Sequence, residues 1–327
     1  MNDHQSIDQM DTDRTGRQPF VDSRAYRFTI FIPTFNRSHT LDRALESAAA
    51  QTHRDFEVLI IDDGSEDDTR QLVQRWQKRA DFTLRYYWQA NQGKFAAHNK
   101  AIGCASGYFF VLLDSDDTLL PQALERFDFH WRSIPDDQKD GFAGVAGLCL
   151  DHDGKIYGDR YPLEVIDTTY LELVKRYKIS GEKRNALRTD VLRQYPYPIF
   201  DGESFIRDDL IWKRMARRFK LRCFNEPVQI IDHQAEGLSA NVISIRLKNP
   251  KGFRYYFLEE INQYSSLTGR YFRFKYHSKF VRYSLHCKIG LRQQYAEVRS
   301  KFYWIISVPR GIIGWLEDKI RMTLKAY

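Results

Sequence analysis

Short apolar runs alternate with amphipathic stretches through the first third of the chain. FTIFIPTF (28–35) is a β-branched and aromatic run that closes on Pro33, the pattern of a strand buried on both faces. After it, Asn36 and Ser38 offer N-caps to RALESAAAQ, an Ala-rich helix that ends before Thr52. FEVLIIDDGS (56–65) repeats the arrangement, and a helix is predicted from about 67 to 79. LRYYWQ reads as a third strand, 94–105 as a helix, and YFFVLLDSDD (108–117) as a fourth strand running into acid. Such alternation builds βαβ units, so the predicted class is α/β, a mostly parallel central sheet with helices on both faces. The stretch 141–245 is more mixed, with a strand at FAGVAGLCL, a turn at 151–154 and a helix over about 208–219.

Ligands of such sheets sit beyond the carboxyl ends of the strands. There the sequence puts Thr34, Asp62, Asp63, Asp114 and Asp116. In VLLDSDD, Asp114, Asp116 and Asp117 crowd into four residues, and the first two would share a face if the strand persisted. Convergent carboxylates repel unless a cation or proton neutralises them. A hard ion, Mn²⁺ or Mg²⁺, bound through one or two carboxylates plus substrate phosphates, answers that need. A solvated acidic turn capping a helix near Pro121 is the plain alternative. Asp62 and Asp63, followed by Gly64-Ser65, can accept hydrogen bonds from a nucleobase or ribose, or cap the next helix.

Composition narrows the class. The chain has 327 residues, 43% hydrophobic and 28% charged, which excludes a disordered or multi-spanning chain and allows one large domain with an appendage. Cys104, Cys149, Cys223 and Cys287 lie far apart with no C-x-x-C pair, so the reading is a reduced, cytoplasmic protein without zinc or redox chemistry. Residues 1–25 are polar, lack an apolar signal segment and are expected to be a disordered leader.

The net charge of +7 is uneven: residues 246–327 hold 17 Lys and Arg against 5 Asp and Glu, or +12, leaving −5 for 1–245. That tail interleaves Tyr, Phe and Trp with cations, as in YFRFKYHSKFVRYSL and KFYWIISVPRGIIGWL. Two readings stay open: a helical extension packed on the parent domain, or one lying in an anionic membrane interface. WIISVPRGIIGWL, interrupted by Pro309 and Arg310, is too short to span a bilayer. No nucleic-acid recognition motif accompanies the basic residues, so no nucleic acid is expected.

Five blocks now matter together: PTFNR (33–37), SAAAQTHRDFEVLIIDDGSEDDT, NQGK (91–94), AHNKAIGCASGYFFVLLDSDD and LLPQAL. In order and spacing they resemble the successive motifs of family-2 glycosyltransferases, densely over 26 to about 125. The resemblance implies the GT-A fold, a Rossmann-like sheet flanked by helices. It also implies inverting transfer from a nucleotide-diphospho-sugar, usually a UDP-sugar, with Mn²⁺ or Mg²⁺ at the diphosphate.

By the same resemblance, Pro33, Thr34, Phe35 and Asn36 line the nucleotide pocket, Arg37 reaches a phosphate, and Asp62 or Asp63 reads the base. Asn91, Gly93, Lys94 and Asn99 fall in the stretch that closes over uridine and ribose. Asp114, Ser115 and Asp116 match the D-x-D motif, with Asp116 the preferred metal ligand and Asp114 and Asp117 alternatives. The general base is expected in RDDLIWKRM (207–215), where Trp212 and Arg214 set a register that selects Asp208. Arg207 stands where the family has glutamate, so Asp209 remains a competitor; both are also acids suited to a helix's first turn. His233, in IIDHQAEGLSA, is a candidate metal or diphosphate ligand.

The expected organisation is a nucleotide-binding half (26–125), an acceptor half (126–245) and the helical extension (246–327). The expected setting is bacterial cell-surface polysaccharide or glycolipid synthesis at the inner face of the cytoplasmic membrane. A nucleotide-sugar-binding protein without turnover is one rival, since the segment 207–209 is nonstandard. A nucleotidyltransferase is the other, although PTFNRSHT is not the Gly-rich basic phosphate loop it would favour.

Overall fold

The computed structural model describes residues 25–232 and 242–325. His233, and all but the last residue of the expected leader, lie outside them. The first half runs β1 (Tyr26–Thr34), α1 (Ser38–Ala49), β2 (Phe56–Asp62), α2 (Thr69–Arg79), β3 (Thr83–Trp88), α3 (Lys94–Cys104) and β4 (Gly107–Leu112). It continues through β5 (Thr118–Leu119), α4 (Ala123–Arg132), β6 (Phe142–Leu150), β7 (Val165–Thr168), α5 (Tyr170–Lys175), β8 (Lys183–Arg188), α6 (Thr189–Leu192), α7 (Asp209–Met215) and β9 (Lys220–Ile230). Five helices follow: α8 (Val242–Lys248), α9 (Pro250–Gln263), α10 (Arg270–His286), α11 (Leu291–Glu297) and α12 (Lys301–Lys325).

The strands form one sheet in the order β3-β2-β1-β4-β8-β6-β9-β5, with β7 also on β9. The first four are parallel, as the βαβ pattern predicts. Beyond β4 the sheet is mixed, because β8 runs antiparallel to both β4 and β6 while β6 and β9 are parallel.

Period-two alternation divides the core. Phe28, Ile30 and Ile32 of β1, with Val58, Ile60, Phe109 and Val111, meet Leu41 and Leu45 of α1, Trp76 of α2 and Phe127 of α4. Phe31, Leu59, Ile61 and Phe110 face the other layer, against Phe95 of α3, Ile211 of α7, Phe257 of α9 and Phe280 of α10. Each such side chain contributes about 1.5–3 kcal/mol on burial. Phe253, Tyr256 and Phe257 of α9 and Phe280 and Tyr283 of α10 therefore join the buried core on this side of the sheet, one of the two fates open to the tail.

Two local expectations are corrected. Neither Asn36 nor Ser38 caps α1: Arg37 is its N-cap residue and makes no side-chain capping bond. Asn36 instead sits in the left-handed region (φ 53°), and its Oδ1 accepts from the Glu66 N–H at 2.8 Å, tying two strand ends together. The extended strand also stops at Leu112, and 115–116 form a turn, so Asp114 and Asp116 do not alternate onto one strand face.

Candidate active site

A cavity of about 1450 Å³ opens beyond the carboxyl ends of β1 and β4. One wall holds Pro33, Thr34, Phe35, Arg37, Asp63 and Lys94, the floor holds Asp114, Ser115, Asp116 and Asp117, and the far wall holds Arg207, Asp208, Asp209 and Trp212. Asn36, Asp62, Asn91, Gly93 and Asn99 are not in its lining.

The chain braces the first wall with its own acids. Asp62 Oδ1 accepts from the Ser65 N–H at 2.8 Å and its Oδ2 from the Tyr86 hydroxyl at 2.6 Å. Asp63 accepts from the Gln89 amide and from the backbone N–H groups of Gln92 and Gly93, at 2.8, 3.0 and 2.7 Å. Asp63 thereby fixes the loop that launches α3. Gly93 is required there: its φ is 89°, and a Cβ would lie 2.0 Å from the Ser204 carbonyl oxygen. Asn91 packs against Gly64, whose φ of 95° turns the chain after β2. Thr34 lines the cavity, and its buried Oγ1 has no hydrogen-bond partner among the described residues.

On the floor, oxygens of Asp114, Asp117 and Glu182 lie within 4.8 Å of one another. Asp116 is in the cavity lining but outside this group. Lys94 Nζ donates to Asp114 at 2.5 Å, and the buried Arg184 guanidinium reaches Glu182 at 2.9 Å, Asp117 at 3.6 Å and Asp114 at 3.8 Å. Burial works to raise the Asp114 pKa, yet the Lys94 and Arg184 charges overcome it and leave it below the usual carboxylate range. Burial and the Asp114 charge raise that of Asp116. Asp117 is pushed up to about 7 by burial, with Arg184 opposing, while it accepts from the Gln229 amide at 2.6 Å and the Asp232 N–H at 3.0 Å. Hard oxygens at this spacing suit a divalent cation of the Mg²⁺ or Mn²⁺ type.

The far wall separates two adjacent aspartates. Asp209 is buried and held by Arg207 at 2.9 Å, Lys213 at 2.8 Å and the Tyr256 hydroxyl at 2.9 Å. Lys213 is shared in turn with Glu260 at 2.5 Å. Burial raises the Asp209 pKa less than Lys213 and Arg207 lower it, so it stays ionised inside the network. Asp208 is exposed at the start of α7: one oxygen accepts from the Asp209 N–H at 2.9 Å, and the other accepts none of the described hydrogen bonds.

Helix α3 carries the link between the walls. Asn99 donates to the Tyr197 carbonyl at 2.8 Å and accepts from its N–H at 2.9 Å. Phe95 and His98 place their rings 4.7 and 5.1 Å from the Tyr197 ring, whose hydroxyl donates to the Asp208 carbonyl at 3.0 Å.

Glu182 and Arg184 escape the sequence reading. Their one signal is an arginine at an inward position of the strand KRNALR, where Arg184 and Ala186 are both buried. A buried charge needs a partner, and that requirement points to the acids of the floor.

A family model described as Glycosyl transferase family 2 matches residues 29–193, just over half of the chain. A GalNAc(5)-diNAcBac-PP-undecaprenol beta-1,3-glucosyltransferase of Campylobacter jejuni is 36% identical over 126 residues, 38% of this chain and 38% of that protein. A chondroitin synthase of Escherichia coli is 41% identical over 97 residues, 30% of this chain but 14% of the synthase. The matched stretch thus spans well under half the length of these curated relatives. Among solved structures, S. aureus TarS 1-349 in complex with UDP-GlcNAc superposes with a TM-score of 0.55 over 88% of this chain and 81% of that one, at 18% identity. That likeness is one of fold.

Proposed function

From a chain that belongs to glycosyl transferase family 2 and has the GT-A fold, we propose an inverting glycosyltransferase that takes its sugar from a nucleotide-diphospho-sugar, most simply a UDP-sugar. One observation carries the reading: a single cavity holds the acid–base floor of Asp114, Asp117, Glu182, Lys94 and Arg184 and, across from it, the uncommitted carboxylate oxygen of Asp208. In this reading Thr34 and Asp63 meet the nucleoside, and Arg37, Lys94 and Arg184 face the diphosphate. Asp208 accepts the proton of the acceptor hydroxyl as that oxygen bonds to the anomeric carbon from the face opposite the diphosphate. The bond from the anomeric carbon to the phosphate oxygen breaks, its electron pair leaves with the nucleoside diphosphate, and the configuration inverts. Asp209, locked among cations, holds Arg207 and the start of α7.

The floor fits a hard cation. Asp114 and Asp117, with Glu182 or Asp116, would hold Mn²⁺ or Mg²⁺, which when bound offsets charge on the departing diphosphate. The acceptor is read as a glycan or lipid-linked glycan of a cell-surface polysaccharide. The tail, with its net charge of +12, is read as meeting the anionic inner face of the cytoplasmic membrane.

The test is release of UDP from a panel of UDP-sugars with Mn²⁺, with and without chelator. Turnover or slow hydrolysis of at least one donor, stopped by chelation, is expected. A donor that binds in a metal-dependent way and is never turned over would make the chain a binding protein.

A further inference from the structure

Helix α12 is inside out for a helix packed on a domain in water. Past Trp304, which joins the core with Val308 beside it, its buried side is small or polar: Ser307, Gly311, Gly314 and Asp318 face α10. Ser307 donates to the Phe274 carbonyl at 3.1 Å, and Asp318 pairs with Arg282 and, at 2.9 Å, with His286. A Cβ on Gly311 would come within 2.5 Å of Val281, so the two helices touch closely. Its outer side exposes Phe302, Ile305, Ile306, Ile313, Leu316 and Ile320, from 42% to 67% accessible. At helical spacing these six fall within an arc of roughly 100°. Surface helices normally turn such an arc toward a core.

We propose that this outer face is an interfacial anchor that lies in the surface of an anionic lipid bilayer. The proposal rests on the reading of the tail as membrane-facing and assigns the contact to one face. Charge identifies the occupant. Arg310, paired with Glu317 at 3.3 Å, and exposed Arg321 flank the stripe on one side and Lys319 on the other, so the rim of the apolar arc is net cationic. A second copy of the chain would set a tail of +12 against another of +12, whereas anionic headgroups would complement both rims. The aromatic residues agree. Because Phe274 lies beside Ser307, Ser278 beside Gly311 and Arg282 beside Asp318, α10 and α12 run parallel with their N-termini together. Exposed Tyr271 and Phe272 therefore share an end with Phe302, an aromatic group of the kind that settles at the headgroup level. No helix among the described residues is long and apolar enough to cross a membrane, so α12 lies along the surface.

The experiment is flotation of the full chain with vesicles of equal phosphatidylglycerol and phosphatidylcholine, and with phosphatidylcholine alone. Wild type should float with the anionic vesicles and much less with the neutral ones. The triple variant Ile305→Asp/Ile313→Asp/Ile320→Asp should lose at least about tenfold in partitioning with an unchanged thermal midpoint. If that midpoint falls, the corresponding Ser triple, which adds no charge, takes its place. A triple variant that floats like wild type overturns the face assignment and leaves the membrane reading of the tail standing. A wild type that stays at the bottom overturns both. If it also elutes as a dimer that the triple variant splits, a second copy is what covers the face. UDP release measured on the same samples reports the transfer reading separately, since it needs only soluble donor.

Discussion

The two walls of the cavity use aspartate in opposite ways. On the donor side the acids are spent on the fold: Asp62 and Asp63 accept five hydrogen bonds from their own chain, and Asp114 is neutralised by Lys94. On the far side two neighbours divide the labour, Asp209 buried among Arg207, Lys213 and Tyr256, and Asp208 exposed with an oxygen to spare. A carboxylate that its own fold satisfies shapes a site. One left unsatisfied at the edge of a cavity can take a proton. Sequence register selects Asp208 but leaves Asp209 as a competitor; their hydrogen bonds separate the two.

The largest expected effect separates that pair. Asp208→Asn should lower kcat by about 10²–10⁴ with donor affinity and thermal midpoint nearly unchanged, read by UDP release, donor titration and melting. Asp209→Asn should destabilise by about 1–3 kcal/mol, because Arg207 and Lys213 lose a charged acceptor while Lys213 keeps Glu260. If Asp209→Asn abolishes turnover in a protein as stable as wild type, the roles are reversed.

A second substitution tests the link between the walls. The family resemblance implies that Asn99 lies in the stretch over the nucleotide, yet its two hydrogen bonds go to the Tyr197 backbone, and the Tyr197 hydroxyl in turn donates to the Asp208 carbonyl. Asn99→Ala should therefore cut kcat by roughly ten- to a hundredfold through misplacement of Asp208, with little change in donor affinity. Weakened donor binding with kcat intact would return Asn99 to the nucleotide.

These contrasts also explain what could be read in advance. The strands β1, β2 and β4 are legible because each is a largely apolar run, and the acids that follow β2 and β4 are neighbours in sequence. Asp208 is reachable through its register with Trp212 and Arg214. Glu182 and Arg184 are not, since β8 is short and joins the floor only by crossing the sheet to lie between β4 and β6. Asn36 misleads for a similar reason: a capping residue by type, it finds its partner thirty residues away at Glu66. In the tail, composition shows the apolar and cationic content, but only the packing of α12 on α10 shows which face is left outward.

Lys94 offers a smaller test of the donor wall. Its ammonium neutralises Asp114 and repels any cation approaching the floor. Lys94→Met should tighten binding of Mn²⁺ alone by several-fold, on the order of 1 kcal/mol for one nearby charge removed in a partly solvated site, as calorimetry would read. It should weaken binding of the full donor, whose diphosphate loses a cation. Mn²⁺ binding that weakens instead would mean that Lys94 positions Asp114 for the metal.

A further effect is set by pH and falls on His98, beneath both walls. Its ring is buried among Phe31, Phe110 and Tyr197, its Nδ1 has no partner among the described residues, and burial followed by the Lys94 charge lowers its pKa to about 3. In the folded chain the imidazole is neutral, whereas in the unfolded chain it takes a proton near pH 6.5. Between pH 6.5 and 3 the unfolded state binds more protons. The stabilisation is therefore complete above 6.5 and declines as pH falls, by about 1.4 kcal/mol per unit. Urea denaturation should show wild type losing about 2 kcal/mol more than His98→Leu between pH 6.5 and pH 5. Since His98 packs on the ring that holds Asp208, moderate acid should erode transfer before donor binding. If the variant and wild type lose stability in parallel, the imidazole reaches water or an acid when protonated, and the two walls share no acid-sensitive support at α3.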